Sequence, residues 1–302
     1  MRPKPVRKFQ VSNTCTCAAL RPLRECRCFK SHGWALCLLI FEIWCLIFVP
    51  ACGSTRPVVK FGLVAPFEGR YRPVGYDAIY AARLAVRERN AAGGVGGYRV
   101  ELVAYDDGGD AASAVERARQ LALDAQVVAV IGHYRIETTR AAWDVYAREA
   151  LPLVAPVIPA DSLPDSPCSG CTFPAAFRSG PIAQRLNHSV ELDDVLAGLT
   201  PNGTIFATGA PWPRDVKNAQ GVSDFIVSYR AVSNGIEPGP YALATFYSVQ
   251  MLLDALAHAP GRLTRNNVGA QLAARFDKQG IQPDVPLYLY RIDDKGQPVL
   301  QH

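Results

Sequence analysis

The sequence predicts an α/β fold built on a parallel, doubly wound sheet, and three observations carry that prediction. Apolar, β-branched runs at Val58–Val64, Val100–Tyr105, Gln126–Ile131 and Leu151–Ala155 have the length and composition of buried strands. The segments between them place apolar residues at helical spacing. Each connection is long enough for a helical crossover, which joining parallel neighbours requires. At 302 residues, 49% of them hydrophobic, the chain can fill one large core or two modest ones.

After the first strand, Tyr80, Leu84 and Ala85 mark a helix over Gly75–Asn90, and Gly93-Gly94 supplies its stop. Asp110 is placed to cap a second helix through Val115, Ala118, Leu121 and Leu123. A third helix spans Thr138–Ala150 between the third and fourth strands. Pro156–Pro174 is rich in Pro, Ser and Asp and reads as loop. A strand is expected at Ala176–Ser179, followed by a thin region to Asn202. Gly203–Thr208 then reads as strand, and Val222–Asn234, Tyr241–Ala259 and Leu263–Phe276 as helices. Val285–Ile292 closes the pattern as an alternating strand.

The formal net charge of +5 is unevenly placed. Residues 1–33 hold eight basic side chains against Glu25, whereas from Cys52 onward 24 basic residues meet 25 acidic ones. The folded part is close to neutral and has no basic stripe, which argues against a nucleic-acid partner.

Residues 34–51 form an apolar stretch behind that basic extension. Val49-Pro50-Ala51-Cys52 resembles a bacterial lipobox, in which the Cys52 thiol is acylated. Residues 34–52 are thus a signal and lipidation segment. An uncleaved anchor and plain cleavage stay open, because about 18 apolar residues border on spanning length and Glu42 is costly in hydrocarbon. All three readings place the remainder outside the cytoplasm. Cys15, Cys17, Cys26 and Cys28 sit in the basic extension, as an unstructured tail or a zinc site. After Cys52 only Cys168 and Cys171 remain, and outside the cytoplasm they are expected to close a small loop disulfide; a redox or half-metal site is the alternative.

The run Val58–Asp107 reads VVKFGLVAPFEGRYRPVGYDAIYAARLAVRERNAAGGVGGYRVELVAYDD. With VIGHY after the third strand and PLYLYRI near the end, it resembles the type I periplasmic binding proteins. The resemblance is to the branched-chain amino-acid (Leu/Ile/Val) group of ABC-transporter substrate-binding components. It implies a two-lobed clamshell of parallel doubly wound sheets that closes on a small solute and passes it to an ABC permease. The first lobe would comprise 57–178 and 239–282. The second would comprise 179–238 and 283–302, and it is truncated, because only Gly180–Asn202 stands where the family has several strand–helix units.

In that family the solute sits at loops following the strands' carboxyl ends, as open α/β sheets generally arrange. The loops Pro66–Val74, Gly132–Glu137 and Pro156–Ala160 then supply Glu68, Tyr71, Arg72, Val74, His133, Tyr134, Arg135, Ile136, Val157 and Ile158 as candidate ligand contacts. His133 can equally brace the turn after Gly132, and Arg72 and Arg135 can be solvated charges. Asp106 and Asp107 can cap loops or pair on a metal. The family's amino-acid binders grip ammonium and carboxylate with a Ser and a Thr, where this chain has Ile136 and Val157-Ile158-Pro159. Ile donates nothing and Pro159 removes an N–H. Losing several charge-assisted bonds of roughly 1.5–3 kcal/mol each points to a ligand other than a standard α-amino acid. Thr138 and Thr139 would offset part of that loss if the register were shifted by two. No G-x-S-x-G, H-E-x-x-H or P-loop occurs, and GGVGG follows a helix rather than a strand. A binding protein without catalytic residues, cofactor or metal is the expectation.

Overall fold

Alternation along β1 (Val58–Ala65) explains why the principal sheet is covered on both faces. Val59, Phe61 and Leu63 point into one core, and Val64 into a second. The computed structural model describes residues 56–159, 162–163, 172–175, 192–216, 221–279 and 287–301. The extension 1–33, the segment 34–52 with Cys52, the Cys168/Cys171 pair and the strand expected at 176–179 lie outside these residues.

β1 is joined by β2 (Arg99–Asp106), β3 (Val127–Gly132), β4 (Leu153–Pro159) and β5 (Thr172–Ala175). All pairings are parallel, in the spatial order β2-β1-β3-β4-β5. Between strands run α1 (Arg72–Ala91), α2 (Ala111–Leu123) and α3 (Ile136–Arg148). Asp110 caps α2 as expected, accepting from the Ser113 N–H at 2.8 Å. α1 begins three residues earlier than its periodicity indicates, because Pro73 fits the first turn, where its missing N–H costs nothing. β4 runs on to Pro159 through what reads as loop, and the ring of Phe173 of β5 lies 4.8 Å from that of Phe276, tilted by 31°.

Helix α4 (Leu192–Leu196) precedes β6 (Ile205–Thr208), and α5 (Val222–Val232), α6 (Pro240–His258) and α7 (Arg265–Gln279) follow it. The first core lies between the sheet and α1, α6 and α7; the second lies under α2 and α3. β6 pairs antiparallel with β7 (Tyr288–Ile292), and β7 with β8 (Pro298–Leu300). The parallel, doubly wound character is therefore carried by the five-stranded sheet, and the second, three-stranded sheet is antiparallel. Phe206, Trp212, Tyr290, Ile292 and Val195 form its small core.

α5 packs with the first core although it adjoins the second sheet in sequence. Phe225 lies 5.0 Å from Phe246 of α6, ring to ring, and the Tyr229 hydroxyl donates to Asp77 Oδ1 of α1 at 3.2 Å. The buried Asp77 carboxylate also accepts from the N–H groups of Gly239, Tyr241 and Ala242 at 2.7, 2.8 and 3.0 Å. It thus supplies the N-terminus of α6 with the acceptor that a helix start lacks.

Candidate functional site

The strand order reverses between β1 and β3, so their carboxyl ends mark the switch point at which an open α/β sheet usually has its binding crevice. Its floor is set by Gly132. At φ 126° it adopts a backbone that only glycine tolerates, and a Cβ there would stand 2.2 Å from the Val64 carbonyl oxygen. β3 can therefore run tight against β1 before the chain turns into α3.

His133 is the next residue, and it is fully buried. Its Nδ1 is 2.6 Å from Asp107 Oδ2 and its Nε2 3.0 Å from the Tyr146 hydroxyl. A carboxylate only accepts, so Nδ1 donates to Asp107, and Nε2 shares the second hydrogen bond with the Tyr146 hydroxyl. Burial pushes the Tyr146 phenol well above its ordinary pKa, which keeps it protonated. Of the two roles open to His133, bracing the turn is the one this geometry provides. Tyr134 is also buried and directed into the first core, its hydroxyl 2.9 Å from Thr245 Oγ1 and its ring edge-on to Tyr241. Val74 and Ile158 are buried as well, Val74 within the first core.

Arg135 reaches the crevice. Its guanidinium carbon sits 4.0 Å from the centre of the Tyr71 ring, and it is ion-paired with Asp193 and, at 3.3 Å, with Glu137. The Tyr71 hydroxyl donates to Asp194 Oδ1 at 3.1 Å. Gly109, at φ 72°, underlies both side chains; a Cβ there would meet Tyr71 Cδ2 at 2.8 Å and Arg135 Cδ at 3.2 Å. Asp106 holds the neighbouring loop, its Oδ1 accepting from the N–H groups of Phe67 at 2.7 Å and Gly108 at 2.9 Å. Glu68 and Arg72 are exposed on the rim, while Ile136 and Val157 are half-buried. Thr138 and Thr139 donate to the Arg135 carbonyl at 3.1 and 2.7 Å, so both hydroxyls close the first turn of α3.

The sequence candidates are thereby sorted. Tyr71 and Arg135 meet, Glu68 and Arg72 are exposed, Ile136 and Val157 are half-buried, and His133, Tyr134, Val74 and Ile158 serve the interior. Asp193 and Asp194 escaped the sequence reading, since α4 is too short for a periodicity. Among the described residues no group of three or more His, Cys, Asp or Glu side chains could hold a metal, and Asp106 and Asp107 are occupied by loop N–H groups and His133.

Residues 58–190 match the profile of the family described as periplasmic binding protein. Over this region, somewhat under half of the chain, the sequence is similar to that family. The Leu/Ile/Val-binding protein of Escherichia coli K12 is 31% identical over 105 residues, 35% of this chain and 28% of its own length. The leucine-, isoleucine-, valine-, threonine- and alanine-binding protein of Pseudomonas aeruginosa is 34% identical over 98 residues, 32% of this chain and 26% of its own. This chain thus matches between a quarter and a third of those curated relatives. Two solved structures share the fold more widely. The branched-chain amino-acid transporter substrate-binding protein of Streptococcus pneumoniae, in complex with isoleucine, superposes with a TM-score of 0.62 at 17% identity, over 81% of this chain and 100% of that one. A solute-binding protein of an ABC transporter from R. palustris, in complex with benzoate, gives 0.62 at 17% identity over 80% and 95%. The type I fold inferred from the βαβ run is the fold observed.

Proposed function

We propose that the chain is an extracytoplasmic solute-binding lipoprotein of an ABC importer, tethered through an acylated Cys52, holding a small solute for a permease without chemical change. The observation that carries this reading is the convergence of Tyr71 and Arg135, from loops after β1 and β3, at the switch point of the sheet. The family match over residues 58–190 and the extracytoplasmic signal pattern of residues 34–52 support it.

The solute is not a standard α-amino acid. Ile136 and Val157 present hydrocarbon, Pro159 has no N–H, and Thr138 and Thr139 spend their hydroxyls on the Arg135 carbonyl. Thermal unfolding against a panel of amino acids, monocarboxylates, amides and neutral aromatics tests the reading. A solute at 100 times its Kd adds about 2.7 kcal/mol, a shift of several degrees at this size. The three-stranded second sheet favours one other reading, a shortened paralogue that acts as a non-catalytic interaction or sensor lipoprotein. A sharp melt that no solute in the panel moves selects it.

A further inference from the structure

We propose that Arg135 anchors the carboxylate of a monocarboxylate solute with an apolar or aromatic body, and that Asp193 is its built-in competitor, holding the same guanidinium until solute arrives. This rests on the solute-binding reading above and names the class of solute.

The argument starts from burial. The Arg135 side chain is only 12% exposed, and a charge so placed needs a partner at all times. Among the described residues Asp193, itself 6% exposed, is its buried partner, whereas Glu137 at 3.3 Å is 53% exposed and weakly coupled through solvent. The Tyr71 ring, 4.0 Å from the guanidinium carbon, steadies the group, whose planar fork of donors suits a carboxylate. A carboxylate of the protein's own chain, Asp193, already takes its Nη1. Ile136, the residue after Arg135, and Val157, near the end of β4, are half-buried hydrocarbon, which suits an apolar body behind the acid.

The element that carries Asp193 makes the exchange consequential. α4 packs Leu192 and Leu196 on the first core and Val195 in the core of the second sheet, and its Asp194 accepts from Tyr71. A solute carboxylate that takes Arg135 leaves Asp193 buried without a counter-charge, so Asp193 must swing out to water and α4 must shift with it. Solute binding is in this way coupled to the position of the second sheet, because the ligand has differential affinity for the two arrangements.

Titration of the full chain with benzoate, with benzamide as its uncharged counterpart, tests the exchange in the parent, Asp193→Asn, Arg135→Gln and the double variant. The double variant removes both charges together and guards against misfolding of either single one. Asp193→Asn is expected to bind benzoate at least tenfold more tightly than the parent, and both variants lacking Arg135 to lose it. Benzamide is expected not to distinguish the four. Hydrogen exchange in Leu192–Leu199 of the parent is expected to rise when benzoate binds. Equal benzoate affinity in the parent and Asp193→Asn, or unchanged exchange in Leu192–Leu199, overturns the competitor while leaving solute binding intact. Benzoate binding that survives Arg135→Gln, or failure of benzoate where another panel solute binds, overturns the anchor and the solute class. Failure of every solute on every variant overturns this proposal and the solute-binding reading with it.

Discussion

His133 Nδ1 lies 2.6 Å from Asp107 Oδ2, and neither side chain reaches solvent. The pair ties the loop after β2 to the turn after β3, and the Tyr146 hydroxyl completes it from α3. His133→Ala strands a buried carboxylate and a buried phenol, so it should lower stability by about 2–4 kcal/mol. For a chain of this size that is a fall in melting temperature of roughly 5–15 °C. Tyr146→Phe leaves only one ring nitrogen unanswered and should cost less. Melts followed by circular dichroism that rank the two variants the other way round would remove the network from the fold's support.

The placement of α5 is tested by Phe225. Its ring is buried against Tyr229 at 5.7 Å and Phe246 at 5.0 Å, within the core shared by α1 and α6. Phe225→Ala should cost about 3–4 kcal/mol through lost burial and the cavity left behind. If α5 belongs with the five-stranded sheet, calorimetry of the variant gives one transition moved to lower temperature. A new early transition, with the main one unmoved, would assign α5 to the second sheet instead.

Anchoring is a separate matter from the fold. The acylation proposed at Cys52 would attach chains worth about 0.8 kcal/mol per buried methylene. Cys52→Ala expressed in a bacterial host should leave the membrane fraction or remain unprocessed, and the parent should carry an acyl mass on its N-terminal cysteine. Membrane partitioning without that mass would mean that residues 34–51 themselves hold the protein in the bilayer.

Four strands of the five-stranded sheet were legible because strands such as Val127–Gly132, buried at every position, leave an unbroken apolar run, and because α2 carries its own cap in Asp110; β5 (Thr172–Ala175) was not, since most of it falls in a Pro- and Ser-rich stretch that reads as loop. Tyr71 and Arg135 were legible as loop residues after two such strands. Asp193 and Asp194 were not, since the contacts that give them meaning span 58 and 123 residues and arise only when α4 folds back over the crevice. β8 was missed for another reason: three residues after the Asp293–Gly296 turn carry no periodicity. The interior role of His133 was open in the sequence because its partners, Asp107 and Tyr146, sit on two other elements.

Asp77 gives the stability of the protein a pH dependence of known sign. Burial pushes its carboxyl up to about 6, although the N–H groups of Gly239, Tyr241 and Ala242 and the Tyr229 hydroxyl all favour the charged form. The ionisable groups turned toward it are phenols, Tyr229 from α5 and Tyr134 from the turn after β3, both raised chiefly by burial. In the unfolded chain the group titrates at its ordinary 3.8, so between about pH 4 and pH 6 the folded state holds the extra proton. The stabilisation is complete below the unfolded value and is lost as pH rises through about 6. Asp110 and Asp124, whose carboxyls are held low by the Ser113 N–H and by Lys60, act with the opposite sign and only below about pH 4. From pH 7 to pH 5 the melting temperature of the parent should therefore climb by several degrees relative to Asp77→Asn, which has no proton to take up. The variant will melt lower throughout, because a carboxamide puts N–H groups among donors, so the slope and not the height is the readout. Parallel lines for the two proteins across that window would mean that the start of α6 holds Asp77 ionised throughout.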